Sequence, residues 1–486
     1  MVEFVHQNAW ACDSTVPPIL SILSFRQAKE AMVRLFLKQL IAGAVLSATS
    51  LTAHAADVGK LSRDVVFGGG ADARAALDAL ARDGHREALP AIILGMRFNG
   101  RGALRRDYRV AIQRLSGEVV DDWFDAMLWQ EGHPEVKPHP SFRQLKLESL
   151  EQIDPAFRRF LGGERSNPAN MRIRLEEISW GGVRVDGIPS LDNPTLVSSA
   201  QATYMLDDDL VFGIEINGDA RAYPLRIMGW HEMFNDVIGG VPVALAYCTL
   251  CGAGVLYETT VSGQSAPLVF GSSGFLYRSN KLMFDRATDS LWNQFTGKPV
   301  AGPLVNSGIE LRTRPVTITS WREWRADHPD TRVLSLNTGH RRNYGSGVVY
   351  NDYFNSPDLM FPSLGGGRDL VKKDYVFGLR VTAGAKAYPL KVFQGGRVIN
   401  DRVGLQNVVL VGDAATRTVR AYDSGGRQFR QVGRKQLSAS DGIWTVGEEH
   451  LTNASGQRLA RLPGHIAYWF GWQSFVGGES EYYEGT

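Results

Sequence analysis

The chain has 486 residues, with 53 Lys and Arg against 51 Asp and Glu and a formal net charge of +2. Charged residues make up 21% of it and the arginines are scattered, which argues against a nucleic-acid or membrane-surface role. The length predicts two to four domains with ample buried core, and 52 glycines among many Val, Tyr and Trp residues point to turn-rich β structure.

The first readable segment is an export signal. Arg34 and Lys38 precede the short apolar run Leu40 to Ala48, and Ala53-His54-Ala55 has the small-x-small pattern read by signal peptidase. The run is too short for a membrane anchor; a buried amphipathic helix is the competing reading. Residues 1–55 are therefore expected to be a leader and signal peptide. Cleavage before Ala56 would release a periplasmic or secreted protein with no membrane anchor. Met32 begins the pattern cleanly, so residues 1–31, with Cys12, read as an over-extended start or a long leader. No cysteine stands directly after the cleavage site, which argues against a lipoprotein anchor, and no paired arginines precede the run, which favours the general secretory route.

Residues 56–175 read as a helical domain. Ala73, Ala76, Leu77 and Leu80 have helical spacing and Gly84 is a plausible stop. Further helices are predicted over 88–98, 121–130 and 142–160, with Pro134, Pro138 and Pro140 breaking the chain between the last two. The short successive helices resemble a solenoid fragment. His133 and His139 read as loop residues.

An internal repeat follows. Val211 to Leu225 recurs as Val376 to Leu390, and the match runs without a gap to Leu245 and Leu410, with 13 of 35 positions identical. Alternating apolar residues around a turn predict β-hairpins. The expected architecture is thus α+β and multidomain: the helical domain, then two duplicated, mainly-β halves over 176–360 and 361–486. Shared residues, such as the Ala-Tyr-Pro-Leu segments and the Asn-Asp pairs, belong to a common scaffold. Residues special to one half are candidates for chemistry. Trp230-His231-Glu232 stands where the second half has Gly395-Gly396-Arg397, and Cys248 where it has Asp413.

Cys248 and Cys251, in Ala-Tyr-Cys-Thr-Leu-Cys-Gly-Ala, are the only cysteines beyond the leader. Two thiols cannot form a disulfide framework, so the pair is a local clip, a redox couple or half of a metal site. Strands are predicted over 243–247 and 255–259, which places the pair on a tight β-turn-β connection. No helix follows the first cysteine as in a thioredoxin motif, and the shape is closer to a metal-binding knuckle. His231 is then the third ligand, followed by Glu232 or Asp285, and the ion would be zinc or copper. The redox reading requires no cofactor; in it His231 tunes the thiolate. A satisfied core residue is the alternative for His231.

The segment 270–294 is the other candidate wall. Gly271-Ser-Ser-Gly274 is either a close approach to a ligand or a hairpin turn. Tyr277, Asn280, Asp285, Trp292 and Gln294 are the substrate-binding candidates, with Tyr277 and Ser279 expected on one strand face and Arg278 and Asn280 on the other. Asp285 and Arg286 read as an ion pair. Gly365 to Gly367 is no phosphate loop, and no serine-hydrolase elbow, His-Glu-x-x-His or haem motif occurs.

Several segments together resemble a family of exported bacterial proteins known as domain of unknown function 3179. They are Gly187-Ile-Pro-Ser-Leu-Asp192, Ala222-Tyr-Pro-Leu225, Trp230 to Asp236, Tyr247-Cys-Thr-Leu-Cys-Gly252, Phe270 to Tyr277, Met283-Phe-Asp-Arg286 and Ser290 to Gln294. Trp321-Arg-Glu-Trp324, His328-Pro329 and Asn351-Asp-Tyr353 complete the set. The resemblance covers roughly 180–475, and it departs from the family pattern at Thr249, where a proline is usual. The family's activity is not established. Members with selenocysteine in the Cys-x-x-Cys position imply redox or nucleophilic chemistry there. Three functions are carried forward: thiol redox with an unknown redox partner or small molecule, a metal-binding protein using Cys248, Cys251 and His231, and a binding module with a structural disulfide.

Overall fold

Helices open the described part of the chain because small and aliphatic residues recur there every three or four positions. Gly70–Asp83 buries Ala73, Ala76, Leu77 and Leu80 and stops where Gly84 turns left-handed, its N–H bonding Leu80 O. Leu89–Phe98 packs on the helices Leu104–Ser116, Trp123–Gly132 and Phe142–Glu151. The third of these five helices, Leu104–Ser116, is an addition to the sequence reading; its Arg-rich surface hides a stripe of Tyr108, Ala111, Ile112 and Leu115. Asp122 caps Trp123–Gly132 by accepting from Phe124 N and Asp125 N, so that helix starts and ends two residues later than expected. The helix expected through Phe160 breaks after Glu151, and Asp154 caps a fresh turn at Pro155.

The structure is a computed structural model that describes residues 58–367, 370–382 and 384–485. The expected leader, residues 1–55, lies outside the described residues. Among those described, no helix is long and apolar enough to cross a membrane. Leu61–Thr486 forms one compact unit, α+β in content. The helical segment docks on the rest through aromatic rings: Phe157 stacks on Phe275 at 4.5 Å, and Phe160 meets Phe284 at 4.9 Å.

In the β-rich part, Leu210–Ile216 pairs antiparallel with Asp219–Pro224, joined at Asn217-Gly218, where both residues have positive φ. The short helix Leu225–His231 leads to Met233–Ile238, Val241–Cys248 and Ala253–Glu258, paired in that order. Thr317–Ser320 then adds antiparallel to Leu210–Ile216, and Arg332–Leu334 adds parallel to Asp219–Pro224. The later segment follows the same course. Tyr375–Val381 pairs with Gly384–Pro389 in the same register, Val376 opposite Pro389 as Val211 is opposite Pro224. Arg397–Val403, Gln406–Asp413 and Thr418–Asp423 follow, and Gly464–Tyr468 and Ser480–Tyr482 add antiparallel and parallel to the hairpin.

The residues common to the two segments have matching contacts. Tyr223 donates its hydroxyl to Asp236 at 2.7 Å, and Tyr388 to Asp401 at 2.8 Å. Asn235 exchanges two bonds with the backbone of Phe270 (2.9 and 2.8 Å), as Asn400 does with Phe429 (2.8 and 2.7 Å). Phe212, Tyr223 and Tyr247 share one hydrophobic core with Phe377, Tyr388 and Ile466, so the two segments bury their faces against each other. They diverge afterwards. The first continues into the hairpin Phe270–Tyr277 and Asn280–Asp285, the second into an eight-stranded sheet.

Gly213 and Gly378 sit beneath the rings of Trp324 and Trp472, and a Cβ at either would overlap the ring. Gly213→Ala and Gly378→Ala are each expected to destabilise by about 1–3 kcal/mol through overpacking, seen as a lower denaturant midpoint. An unchanged midpoint in either would show that the indole moves freely.

Candidate functional site

The cysteine turn is the end of a fully buried strand. Positions 243–248 are all buried, Cys248 closes the strand, and Thr249–Cys251 forms a 3-10 turn. Gly252 then reverses the chain with φ of 58°, and Cys248 faces Ala253 across the returning strand. Only glycine suits this position, since a Cβ would stand 3.0 Å from Tyr375 Cε1 and 3.3 Å from Tyr468 Cε2. The later β segment therefore presses on the turn with two tyrosines, beyond a purely remote scaffold role.

Cys248 and Cys251 are free thiols, 1% and 0% exposed, with their sulfurs 2.9 Å apart. Their surroundings differ. Burial raises the Cys248 thiol, but bonds from the Cys251 side chain and from the backbone at Lys281 and Cys251 outweigh it, and Cys248 ends below the ordinary thiol value. Cys251 is pushed well above that value, by burial first and then by Cys248. Its sulfur also lies 3.4 Å from Ser279 O and accepts from Asn280 Nδ2 at 3.3 Å.

Asn280 and Gln294 are brought to the thiols, as positioning groups. Asn280 Nδ2 donates to Gln294 Oε1 at 2.8 Å, and Gln294 Nε2 donates to Ala246 O and Ala253 O at 2.8 and 3.0 Å. Gln294 thus clamps the two strands on either side of the turn. The other three substrate-binding candidates lie elsewhere. Asp285 is buried, caps Thr288 and accepts from Trp292 Nε1 at 2.8 Å. Tyr277 packs edge-on against Phe475. Arg286 pairs with Asp186 rather than Asp285. The expected alternation over 277–280 also fails, because Arg278 and Ser279 form a two-residue turn with φ of 48° and 61°, which makes Tyr277 and Asn280 cross-strand partners.

His231 is committed away from sulfur. It is 0% exposed, with Nδ1 2.9 Å from Pro189 O and Nε2 2.7 Å from Tyr344 OH. Burial lowers its pKa to about 4, so the ring is neutral. Among the described residues no group of three or more His, Cys, Asp and Glu side chains is placed to hold a metal ion. The set Cys248, Cys251 and His231 does not fit zinc or copper in this arrangement.

Glu232, one residue on, takes the place expected for His231. It ends the helix Leu225–His231 in a left-handed conformation, φ 53°, which turns its carboxylate toward the cysteine turn. Glu232 Oε1 accepts from Thr249 Oγ1 at 2.6 Å and from Tyr350 OH at 3.3 Å, and Oε2 pairs with Lys281 Nζ at 3.2 Å. Tyr353 OH donates to Leu250 O at 2.6 Å and pins the turn from the other side. Above Cys248 lies a pocket of about 40 Å³, lined by Glu232, Lys281 and Tyr350 and walled by apolar residues including Ile188 and Phe275. Cys251 does not line it. Gly271 to Gly274 lies inside a strand, not at a hairpin turn. Gly274, φ 81°, lets the backbone at Val183 come close, where a Cβ would be 2.6 Å from Val183 O.

Sequence reasoning missed Lys281, Thr249 and Tyr350 in this site. A lysine directly before the apolar run Leu282-Met283-Phe284 was the available signal, because a buried cation needs a partner. The absence of Trp-His-Glu from the second half did point to the right segment; the group facing the thiols is its third residue.

Glu232→Gln is expected to leave Lys281 buried without its partner and to cost about 3 kcal/mol. The Glu232 charge opposes the Cys248 thiolate, so its removal is expected to shift the thiolate ultraviolet titration to lower pH; a shift upward would overturn this electrostatic picture. His231 acts on stability in the acid range. Its folded value of about 4 lies below the ordinary 6.5, so its contribution is complete above about 6.5 and is lost as pH falls toward 4. His231→Gln should flatten the dependence of the denaturant midpoint on pH in that window.

No curated protein and no solved structure matches the chain. One family does, described as "Protein of unknown function (DUF3179)", over residues 185–479. That span holds the cysteine turn, Glu232, Lys281 and Tyr350, as well as both hairpin segments. With more than half of its length matched, the chain belongs to the DUF3179 family.

Proposed function

We propose that this is a thiol-redox protein in which Cys248 and Cys251 cycle between dithiol and disulfide, with Cys248 as the attacking sulfur. The observation that carries the reading is the unequal setting of two sulfurs 2.9 Å apart: one lowered and facing a pocket, the other raised and enclosed. A passive clip needs neither the pocket nor the buried Glu232–Lys281 pair beside it. In the same reading the two β-rich halves, 176–360 and 361–486, are a duplicated scaffold of which only the first keeps thiols. The helical segment is a solenoid-like cap on the first half. Support for the duplication comes from the matched registers and the repeated Tyr–Asp and Asn–backbone bonds. Export to the periplasm or medium is proposed from the apolar run and Ala53-His54-Ala55 alone.

The test is equilibration of the protein in redox buffers, followed by mass analysis of alkylated thiols. A reversible two-electron couple confined to Cys248 and Cys251 is expected. Cys248→Ser and Cys251→Ser should each abolish it while melting close to the reduced parent. Closing so small a ring constrains the unfolded chain by no more than about 2 kcal/mol. A pair that forms no reversible disulfide would refute the redox reading. Serine variants that melt far below the reduced parent would establish a structural role instead.

A further inference from the structure

We propose that the pocket over Cys248 takes a small hydroperoxide, hydrogen peroxide or methyl hydroperoxide, as the oxidant of the cysteine pair. This rests on the thiol-redox reading above and names its substrate class.

Size is the first reason. The pocket offers about 40 Å³, and each water-sized group needs about 10–15 Å³ by the same measure, so it holds about three such groups. A disulfide on a protein or on glutathione carries peptide on both sides of its sulfurs and cannot reach a thiol that is 1% exposed at the floor of such a space. A peroxide O–O group fits.

The lining is the second reason. Apolar walls at Ile188 and Phe275 surround a polar floor where Cys248, Lys281 and Tyr350 converge. A hydroperoxide needs a thiolate to attack one oxygen and a proton donor for the other, and no metal. Lys281 Nζ is that donor: it spends two N–H groups on Glu232, on Oε2 and on the backbone oxygen, each at 3.2 Å, and keeps a third, while the Tyr350 hydroxyl proton goes to Glu232 Oε1 at 3.3 Å. Thr249 adds a third bond to that carboxylate at 2.6 Å. In the later half none of this recurs, since Arg397 and Ala414 stand where Glu232 and Thr249 do.

Proximity of the second sulfur is the third. The Cys248 thiolate attacks the distal oxygen of ROOH, forming S–O as O–O breaks, and the departing alkoxide takes a proton from Lys281, which solvent returns. The products are Cys248 sulfenic acid and ROH. Cys251 sulfur then attacks the sulfenic sulfur, S–S forms, S–O breaks, and hydroxide leaves as water with the Cys251 proton. Two thiols and ROOH have become a disulfide, ROH and H₂O. With the sulfurs 2.9 Å apart, this step needs no unfolding of the turn.

The experiment mixes the fully reduced chain rapidly with hydrogen peroxide, cumene hydroperoxide or glutathione disulfide and follows loss of the two thiols. Hydrogen peroxide is expected to react on the order of a hundredfold faster than with free cysteine at the same pH, the contribution of a positioned proton donor. Cumene hydroperoxide and glutathione disulfide should react no faster than with free cysteine. In Cys251→Ser, dimedone should trap a sulfenic acid on Cys248. Faster reaction with glutathione disulfide than with peroxide would overturn the hydroperoxide inference and leave the redox couple standing. Equal rates for the small and bulky hydroperoxides would overturn the assignment to this pocket. Failure of every oxidant to form the disulfide would remove both readings.

Discussion

A single buried ion pair organises the region that matters here. A carboxylate and an ammonium inside a protein persist only when they meet each other and have their remaining bonding capacity filled. Glu232 and Lys281 satisfy that demand by drawing together elements distant in the chain: the end of a short helix, the strand Asn280–Asp285, the cysteine turn through Thr249, and the later segment that carries Tyr350. Lys281 Nζ also donates to the backbone oxygen of Glu232 at 3.2 Å, so the left-handed end of the helix is tied down twice. The thiols are held where this network places their turn.

The two β segments share a hairpin arrangement and differ at the turn that follows it. Both build a hairpin with a glycine under a tryptophan, a tyrosine bonded to an aspartate, and an asparagine that satisfies both backbone groups of a later residue. At the turn they part. Gly252 allows the first to lie flat against Tyr375 and Tyr468. In the second, Arg417 takes up the left-handed conformation at φ 55° and lays its guanidinium over Tyr375 at 4.2 Å while donating to its hydroxyl. The two turns thus meet on the same tyrosine, and the later segment shapes the floor on which the cysteine turn rests.

Much of the framework was legible in advance because it is local. The β-turn-β course of the cysteine segment follows from two short apolar runs and from Gly252, and the thiols at Cys248 and Cys251 needed no structure to be noticed. The helix Leu104–Ser116 was missed because four arginines interrupt its sequence and leave only a narrow apolar stripe. His231, Asp285 and Trp292 were attractive as chemistry-bearing types, yet each spends its polar atoms on nearby structure: a proline carbonyl and a tyrosine, a threonine turn, an aspartate. Residue type indicates what a group can do, but not which neighbour has already claimed it.

What the sequence determined by itself was the α+β order of elements, the recurring hairpin and the two cysteines on a glycine-ended turn, since these depend on spacing, propensity and turn geometry within a few residues. Only the tertiary structure decided that Glu232 rather than His231 faces the turn, that Lys281 and Tyr350 join it, and that Cys248 borders a cavity while Cys251 does not. These outcomes hinge on a left-handed helix end and on contacts between residues far apart in the chain. The direction of a side chain there, and the electrostatic balance between two adjacent sulfurs, exist only once distant charges and hydrogen-bond donors have been brought together.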